Sequence, residues 1–165
     1  MNRKLIINLI LCFALTSVFC ACSKDDDDNN GKGSDIELEE QMRPTDWVAV
    51  SQGIDLQSTM IADVAVELTS LGLAYECNEQ DLMTAFIDGT CRAVAAPLMD
   101  EEGKPMNLFA LTIKKLEADT PNAPVTLKFY SAKLRHVFTI SAPFPYVAEG
   151  MQGSVQNPYK PTWTK

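Results

Sequence analysis

Apolar and polar side chains alternate along several short segments of this chain, most clearly over residues 58–68. Every second position there is apolar: Met60, Ala62, Val64, Val66 and Leu68. Asp63 and Glu67 fall on the opposite face. A period of two is typical of a β-strand with one buried face and one solvated face. The pattern therefore predicts a strand that holds both acids in water.

Two more β-prone segments, residues 84–88 and 90–96, meet at Asp88-Gly89. A two-residue hairpin turn needs positive φ, which glycine adopts freely and aspartate tolerates. The sequence therefore predicts a β-hairpin whose second arm begins just before Cys91 and Arg92. Further short strands are predicted at residues 47–50, 107–113, 125–130 and 137–141.

Short strands spaced about ten residues apart, without a long amphipathic helix, predict an all-β fold. We expect residues 35–165 to form a single antiparallel β-sandwich, immunoglobulin-like or jelly-roll-like. An open barrel is the alternative, because strand patterning seldom separates the two.

The first 21 residues have the pattern of a signal peptide. Arg3 and Lys4 precede an apolar run over residues 5–19, which is shorter than the ~20 residues of a comfortable membrane span. Ala21 directly before Cys22 resembles a lipobox, which predicts a signal helix cleaved before a lipidated Cys22. Lipidation of Cys20 and an uncleaved membrane anchor are the alternatives.

Residues 22–34 contain four aspartates and no large apolar residue, so we expect an acidic flexible linker. Residues 23–28 resemble the acidic export signal of Bacteroidota lipoproteins, which directs them to the outer face of the outer membrane. Several acyl chains such as palmitate would hold the domain to the membrane almost permanently. The linker lacks the spaced ligands of an EF-hand calcium loop.

The chain carries 14 basic and 22 acidic residues, a formal net charge of -8. Removal of Arg3 and Lys4 with the signal peptide would leave 12 basic residues and a charge of -10. An acidic surface argues against nucleic acid or anionic lipid headgroups as partners. Solubility alone is the simpler explanation of the charge.

Few residues in the chain are suited to catalysis or cofactor binding. His136 is the only histidine, and it lies in a strand-like run without a nucleophile elbow. No pair of histidines, dinucleotide-binding glycine pattern or P-loop occurs. We therefore predict a non-catalytic protein without metal or cofactor, in which His136 is an ordinary residue of the sheet surface.

Cysteines and charged residues around the hairpin are candidate structural contacts. A disulfide between Cys77 and Cys91 would close a loop of ~15 residues and stabilise the fold by about 3 kcal/mol. Two free buried thiols are the alternative. Asp81, Asp88 and Arg92 lie close together in the sequence, and we expect a buried Arg92 to pair with Asp81 as a structural clamp.

Aromatic side chains are candidate stacking surfaces for sugars, because flat rings combine apolar faces with polar edges. The candidates are Trp47, Tyr130, Tyr159 and Trp163, with Tyr75 and Tyr146 as further members. Core packing explains these positions equally well.

Several segments together resemble a β-sandwich module that recurs in Bacteroidota surface and secreted proteins. They are residues 58–60, 81–86, 87–94, 107–109, 125–130 and 153–158. The chain departs from the module's pattern at Thr90, where the pattern has Glu, and at Ala93, where it has Gly. The resemblance implies a fold and a location for residues 47–160 but no activity.

These observations predict a surface-exposed outer-membrane lipoprotein that acts as a non-catalytic binding or structural accessory module. Capture of glycans is the more specific form of this prediction. The alternatives are an adhesion or assembly subunit that accepts a partner strand on an exposed sheet edge, and a small glycan-active hydrolase.

Overall fold

The structure is a computed structural model that describes residues 37–165, and these belong to one compact unit. The predicted signal peptide, the lipidation site at Cys22 and the acidic linker lie outside the described residues. Within residues 37–165, no helix is long and apolar enough to cross a membrane.

Nine strands and one 3-10 turn make up the regular structure of residues 37–165. The strands are β1 (Ile54–Ala65), β2 (Leu82–Ile87), β3 (Thr90–Ala95), β4 (Leu108–Leu116), β5 (Pro124–Ser131), β6 (His136–Ile140), β7 (Phe144–Pro145), β8 (Met151–Gln152) and β9 (Trp163–Thr164). The turn spans Thr69–Leu71. The predicted all-β fold is therefore confirmed.

The strands form two sheets. The smaller has the order β4-β1-β8, and the larger has the order β3-β2-β5-β6-β9, with β7 beside β5. All pairs are antiparallel except β1 with β8. The long strand β1 is thus the centre of the smaller sheet.

One apolar core takes side chains from both sheets. The five alternating residues predicted to be buried, from Met60 to Leu68, are each at most 2% exposed. Phe109 of β4 reaches Phe129 of β5, with ring centroids 5.7 Å apart. Aromatic contacts of this kind join the two sheets.

The predicted exposure of the two acids was right for Glu67, which lies two residues after β1, and wrong for Asp63, which lies in β1. Glu67 is exposed, whereas Asp63 is 6% exposed. A distant segment runs beside this part of β1, and the Tyr159 amide donates to the Asp63 carbonyl at 2.8 Å. Asp63 is thus buried where a distant segment joins β1, although local alternation predicts exposure to water.

The predicted hairpin is formed by β2 and β3. Asp88 and Gly89 adopt φ values of 48° and 72°, as the turn requires. A bulge follows, because Ala85 pairs with Ala93 whereas Phe86 pairs with Cys91. Arg92 is consequently an extra residue in β3.

The predicted strand over residues 47–50 is absent. Only one bond to β3 is made there, from the Val50 amide to the Cys91 carbonyl at 3.1 Å. Trp47 packs its ring edge against Phe86 of β2. The segment lies along the edge of β3 without forming a ladder.

Candidate functional site

A groove of about 420 Å³ lies where β1 ends and β4 begins. One wall is lined by residues 155–158 and Lys160, which belong to a segment, residues 153–160, that we call the groove loop. The other wall includes Ala65, Glu67 and Met106. Because the two walls come from segments that are far apart in the sequence, local sequence patterns did not reveal this site.

Backbone hydrogen bonds fix the groove loop against β1. The Ala65 amide donates to the Tyr159 carbonyl at 2.9 Å, next to the bond from Tyr159 to Asp63. Ser154 and Asn157 exchange amide-to-carbonyl bonds of 3.0 and 3.1 Å. These backbone bonds hold the wall of the groove in place.

Gly153 permits this close approach. Its φ is 78°, and an added Cβ would lie 2.6 Å from the Asp63 carbonyl oxygen and even closer to the Tyr159 amide nitrogen. Any other residue would have to push the loop away from β1. Gly153 and Pro158 also belong to residues 153–158, for which the sequence predicts a resemblance to the Bacteroidota module. That predicted resemblance was the sequence feature that pointed to this part of the groove.

The groove combines one ion pair with neutral polar and apolar groups. Lys160 Nζ lies 2.5 Å from Glu67 Oε1, and both side chains are about half exposed. Gln156 and Asn157 contribute exposed amide groups, and Met106 and Val155 contribute exposed apolar surface. Amides donate and accept hydrogen bonds, so the groove can bind hydroxyl-rich molecules that also have apolar faces.

Asn107 lines the groove and also bonds to the segment that precedes β2. Its Oδ1 accepts the Cys77 amide at 2.7 Å, and its Nδ2 donates to the Tyr75 carbonyl at 2.9 Å. Both ends of the side-chain amide therefore bond to the segment that precedes β2. The groove is in this way connected to the buried polar cluster around Asp81.

Asp81 is fully buried and accepts three hydrogen bonds. The amides of Asn78 and Ala132 each donate at 2.8 Å, and the Tyr75 hydroxyl donates to Oδ2. Ser131 Oγ donates in turn to the Tyr75 hydroxyl at 2.9 Å. Burial, and secondly the bond to Asp81, raises the pKa of Tyr75 well above its ordinary value.

The predicted clamp between Arg92 and Asp81 is wrong. Arg92 Nη2 donates to Asp119 Oδ1 at 2.7 Å, and the two side chains are only 2% and 6% exposed. In the hairpin Arg92 lies beside Ala85 and Phe86, and four to five residues of extended chain, roughly 13 to 16 Å, separate these positions from Asp81. Asp88, the third proposed member, lies exposed in the hairpin turn.

The Arg92–Asp119 pair connects the two sheets. Asp119 follows β4, and its Oδ2 also accepts the Leu116 amide at 2.7 Å. Arg92 belongs to β3 at the edge of the larger sheet. Its Nε and Nη1 are enclosed without a hydrogen-bond partner among the described residues. Arg92 is thus part of a buried contact, as was expected, but its partner is Asp119 and not Asp81.

The two cysteines do not form the proposed disulfide; both thiols are free. Cys77 lies close to Asp81, at the start of β2, whereas Cys91 pairs with Phe86, near its end. Five residues of extended chain span roughly 16 Å, far more than the ~6 Å between bridged Cα atoms. Burial raises the pKa of both thiols, which disfavours the nucleophilic thiolate.

The proposed stacking aromatics do not share a surface. Tyr130 and Trp163 are 5% and 1% exposed, so neither ring offers a face to a ligand. Tyr159 packs against Phe144 with centroids 5.5 Å apart. Trp47 is half-buried against Phe86, and Lys128 Nζ lies 5.0 Å from the Phe86 centroid. Core packing explains Tyr130 and Trp163.

The prediction that His136 lies on the sheet surface is also wrong. The side chain is 5% exposed, and its ring is 4.9 Å from that of Phe138. Nδ1 lies 2.8 Å from the Glu39 carbonyl oxygen and donates to it. The segment before β1 covers this histidine, an arrangement that the strand pattern of residues 133–140 does not encode.

Over residues 37–165, no group of three or more His, Cys, Asp or Glu side chains is arranged to hold a metal ion. No family model, curated protein or solved structure matches this chain. The resemblance to the Bacteroidota surface module therefore stays a prediction.

Proposed function

We propose that the protein is a surface-exposed outer-membrane lipoprotein that captures a glycan in the groove beside β1. In this proposal the two sheets form an antiparallel β-sandwich of the immunoglobulin-like or jelly-roll-like kind. The observation that carries the proposal is the groove of about 420 Å³, one wall of which is held by backbone hydrogen bonds. Small-molecule sites in proteins typically range from ~300 to ~1,000 Å³ and are largely formed before binding.

The chemistry of the groove favours a sugar over a wholly apolar ligand. Gln156 and Asn157 can donate and accept hydrogen bonds with hydroxyl groups. Met106 and Val155 are 38% and 51% exposed and can contact the apolar face of a sugar ring. A wall held in place by backbone bonds avoids the entropy cost of ordering a loop on binding.

A non-catalytic role is favoured over glycoside hydrolysis. Most glycosidases use two carboxyl groups about 5 to 9.5 Å apart, on either side of the scissile bond. Among the residues that line this groove, Glu67 is the one carboxylate, and it is paired with Lys160. The lining therefore does not supply the second acid that this chemistry needs.

Assembly through strand addition is the second candidate function. It is favoured by the position of β4 at the edge of the smaller sheet, where Ala110, Thr112 and Lys114 are exposed. A nine-residue edge strand is long enough to accept a partner strand. Lys114 counts against it, because an edge lysine discourages such pairing.

A glycan array tests the principal proposal. The chain from Ser23 to Lys165, which retains all described residues, is expected to bind at least one class of plant, host or microbial glycan. Gln156→Ala and Asn157→Ala should weaken that binding, because each removes a groove amide. Gln80→Ala, at an exposed glutamine away from the groove lining, is the matched control.

The absence of binding across the whole array would contradict the proposed function. Binding that survives both groove substitutions but is lost in the control would place the site elsewhere. A wild-type chain that instead forms oligomers abolished by Thr112→Pro would favour strand addition, because proline removes an edge amide donor.

A further inference from the structure

We infer that the groove selects uncharged sugars, and that the Glu67–Lys160 ion pair determines this selectivity. The inference rests on the proposed function and specifies its ligand class. Its starting point is that the charged residues lining the groove are these two, and that they already bind each other at 2.5 Å.

The pair leaves the groove without a free charge for an ionic ligand. An acidic sugar whose carboxylate binds Lys160 Nζ must share this ammonium group with the Glu67 carboxylate or displace it, and in both cases the two carboxylates lie close together. Like charges at such distances repel, and the repulsion is strongest where water is partly excluded. A ligand rich in hydroxyl groups avoids this cost, since it can bond to the pair without separating it.

The charge of the whole chain acts in the same direction. Its formal net charge is -8, so a polyanionic glycan is repelled at long range before it reaches the groove. The amides of Gln156 and Asn157 carry no charge and suit hydroxyl groups equally well in neutral sugars. The short-range and long-range electrostatics therefore both favour an uncharged ligand.

The experiment uses pairs of oligosaccharides whose acidic member carries a carboxylate at C6, where the neutral member carries a hydroxymethyl group. The probes are mannotriose with trimannuronic acid, and galactotriose with trigalacturonic acid, measured by isothermal titration calorimetry alongside the glycan array. For wild type, the neutral member of a bound pair is expected to bind more tightly than its acidic counterpart.

Glu67→Gln is the decisive variant, because it keeps the shape of the side chain and frees the cation of Lys160. We expect acidic binding to rise about three- to tenfold relative to neutral binding, and the gain to fall at high salt. Lys160→Gln removes the cation instead and should give no acidic gain. Both side chains are half exposed, and circular dichroism checks that the variants fold.

The outcomes separate the two ideas. Wild type that prefers the acidic members, or a Glu67→Gln variant whose acidic-to-neutral ratio does not rise, would overturn the selectivity and leave glycan capture standing. A wild type and a Glu67→Gln variant that bind none of the trisaccharides and nothing on the array would overturn glycan capture together with its selectivity.

Discussion

Arg92 and Asp119 bring opposite charges together where both side chains are almost completely buried. Desolvation makes such a pair expensive, and its attraction roughly offsets that cost. Loss of one partner should therefore lower the free energy of unfolding more than replacement of both partners by uncharged residues. The free energies of unfolding of single and double variants therefore distinguish the Arg92–Asp119 pair from a surface ion pair.

Asp119→Asn should lower the free energy of unfolding by about 3 to 5 kcal/mol, because Arg92 would be left charged and buried without its counter-ion. The double variant Arg92→Met/Asp119→Asn should recover most of the loss, since the unpaired charge is gone. Urea denaturation followed by circular dichroism measures both.

Arg135→Gln is the control for this pair. It breaks a 2.9 Å ion pair with Glu40 whose side chains are both more than half exposed. Solvent-exposed pairs contribute less than about 1 kcal/mol, so only a small change is expected. A loss in Asp119→Asn no larger than in this control would show that Arg92 does not need its partner.

Tyr75 should make the stability depend on alkaline pH. Its pKa is raised in the folded protein, by burial first and then by the bond to Asp81, whereas its ordinary value is 10.0. Because the folded state holds the proton more tightly, this contribution is complete below pH 10 and is lost as the pH rises above it. The slope is about 1.4 kcal/mol per pH unit.

Tyr75→Phe tests that dependence. The variant should lose some stability at neutral pH, because the hydroxyl bond to buried Asp81 is gone. Above pH 10 the free energy of unfolding should fall less steeply in the variant than in wild type. The two slopes should differ by about 1.4 kcal/mol per pH unit. Parallel profiles for the two proteins, measured by urea denaturation at each pH, would mean that Tyr75 keeps no raised pKa.

Local patterns predicted which residues of the hairpin turn and pair, but not what its polar side chains contact. Asp88 and Gly89 take the φ values expected from their residue types. Arg92 contacts Asp119, 27 residues further along the chain, rather than the nearer Asp81. Arg92 lies beside Ala85 and Phe86 in the hairpin, four to five residues of extended strand from Asp81, and the side chain of a distant residue reaches it instead.

At the scale of elements, the groove loop depends on how closely its chain approaches β1. Backbone bonds join Tyr159 to Asp63 and Ala65, and Gly153 leaves room for them. This contact positions one wall of the groove. A disturbance of the loop should therefore affect both stability and binding.

Gly153→Ala should destabilise the domain by about 2 to 4 kcal/mol, because it adds a steric clash to the strain of positive φ. We also expect loss of groove binding. Gly103→Ala is the matched control: Gly103 has the same φ of 78°, but an added Cβ meets nothing within 4 Å. The control should cost only about 1 kcal/mol.

Thermal unfolding and glycan binding measure the two effects of the glycine substitutions. Equal losses in Gly153→Ala and Gly103→Ala would show that φ alone matters and that the contact with β1 is dispensable. Binding that remains normal in Gly153→Ala would separate the groove loop from the ligand site.

At the scale of the whole molecule, the proposed lipid anchor would determine where the groove is presented. The lipobox-like Ala21-Cys22 predicts that labelled palmitate enters the full-length protein in its own cells, since several acyl chains give stable membrane attachment. Cys22→Ala should abolish labelling and release the protein from the membrane fraction. Labelling is followed by gel fluorography after fractionation.

Cys20→Ala is the control for the anchor, because Cys20 is the other candidate cysteine of the segment. It should keep the label. Label that persists in Cys22→Ala and disappears in Cys20→Ala would move the anchor by two residues. Label absent from the wild-type protein would contradict lipidation altogether.

Sequence alone determined the all-β class, most of the longer strands and the hairpin turn. These features depend on the alternation of apolar residues and on the φ preferences of single residues, both of which are local. The tertiary structure decided the partner of Arg92, the burial of Asp63, His136 and Trp163, the separation of the cysteines and the position of the groove. Each of these depends on which distant segment packs beside a given strand, and that is set by long-range contacts of the whole fold rather than by the residues nearby.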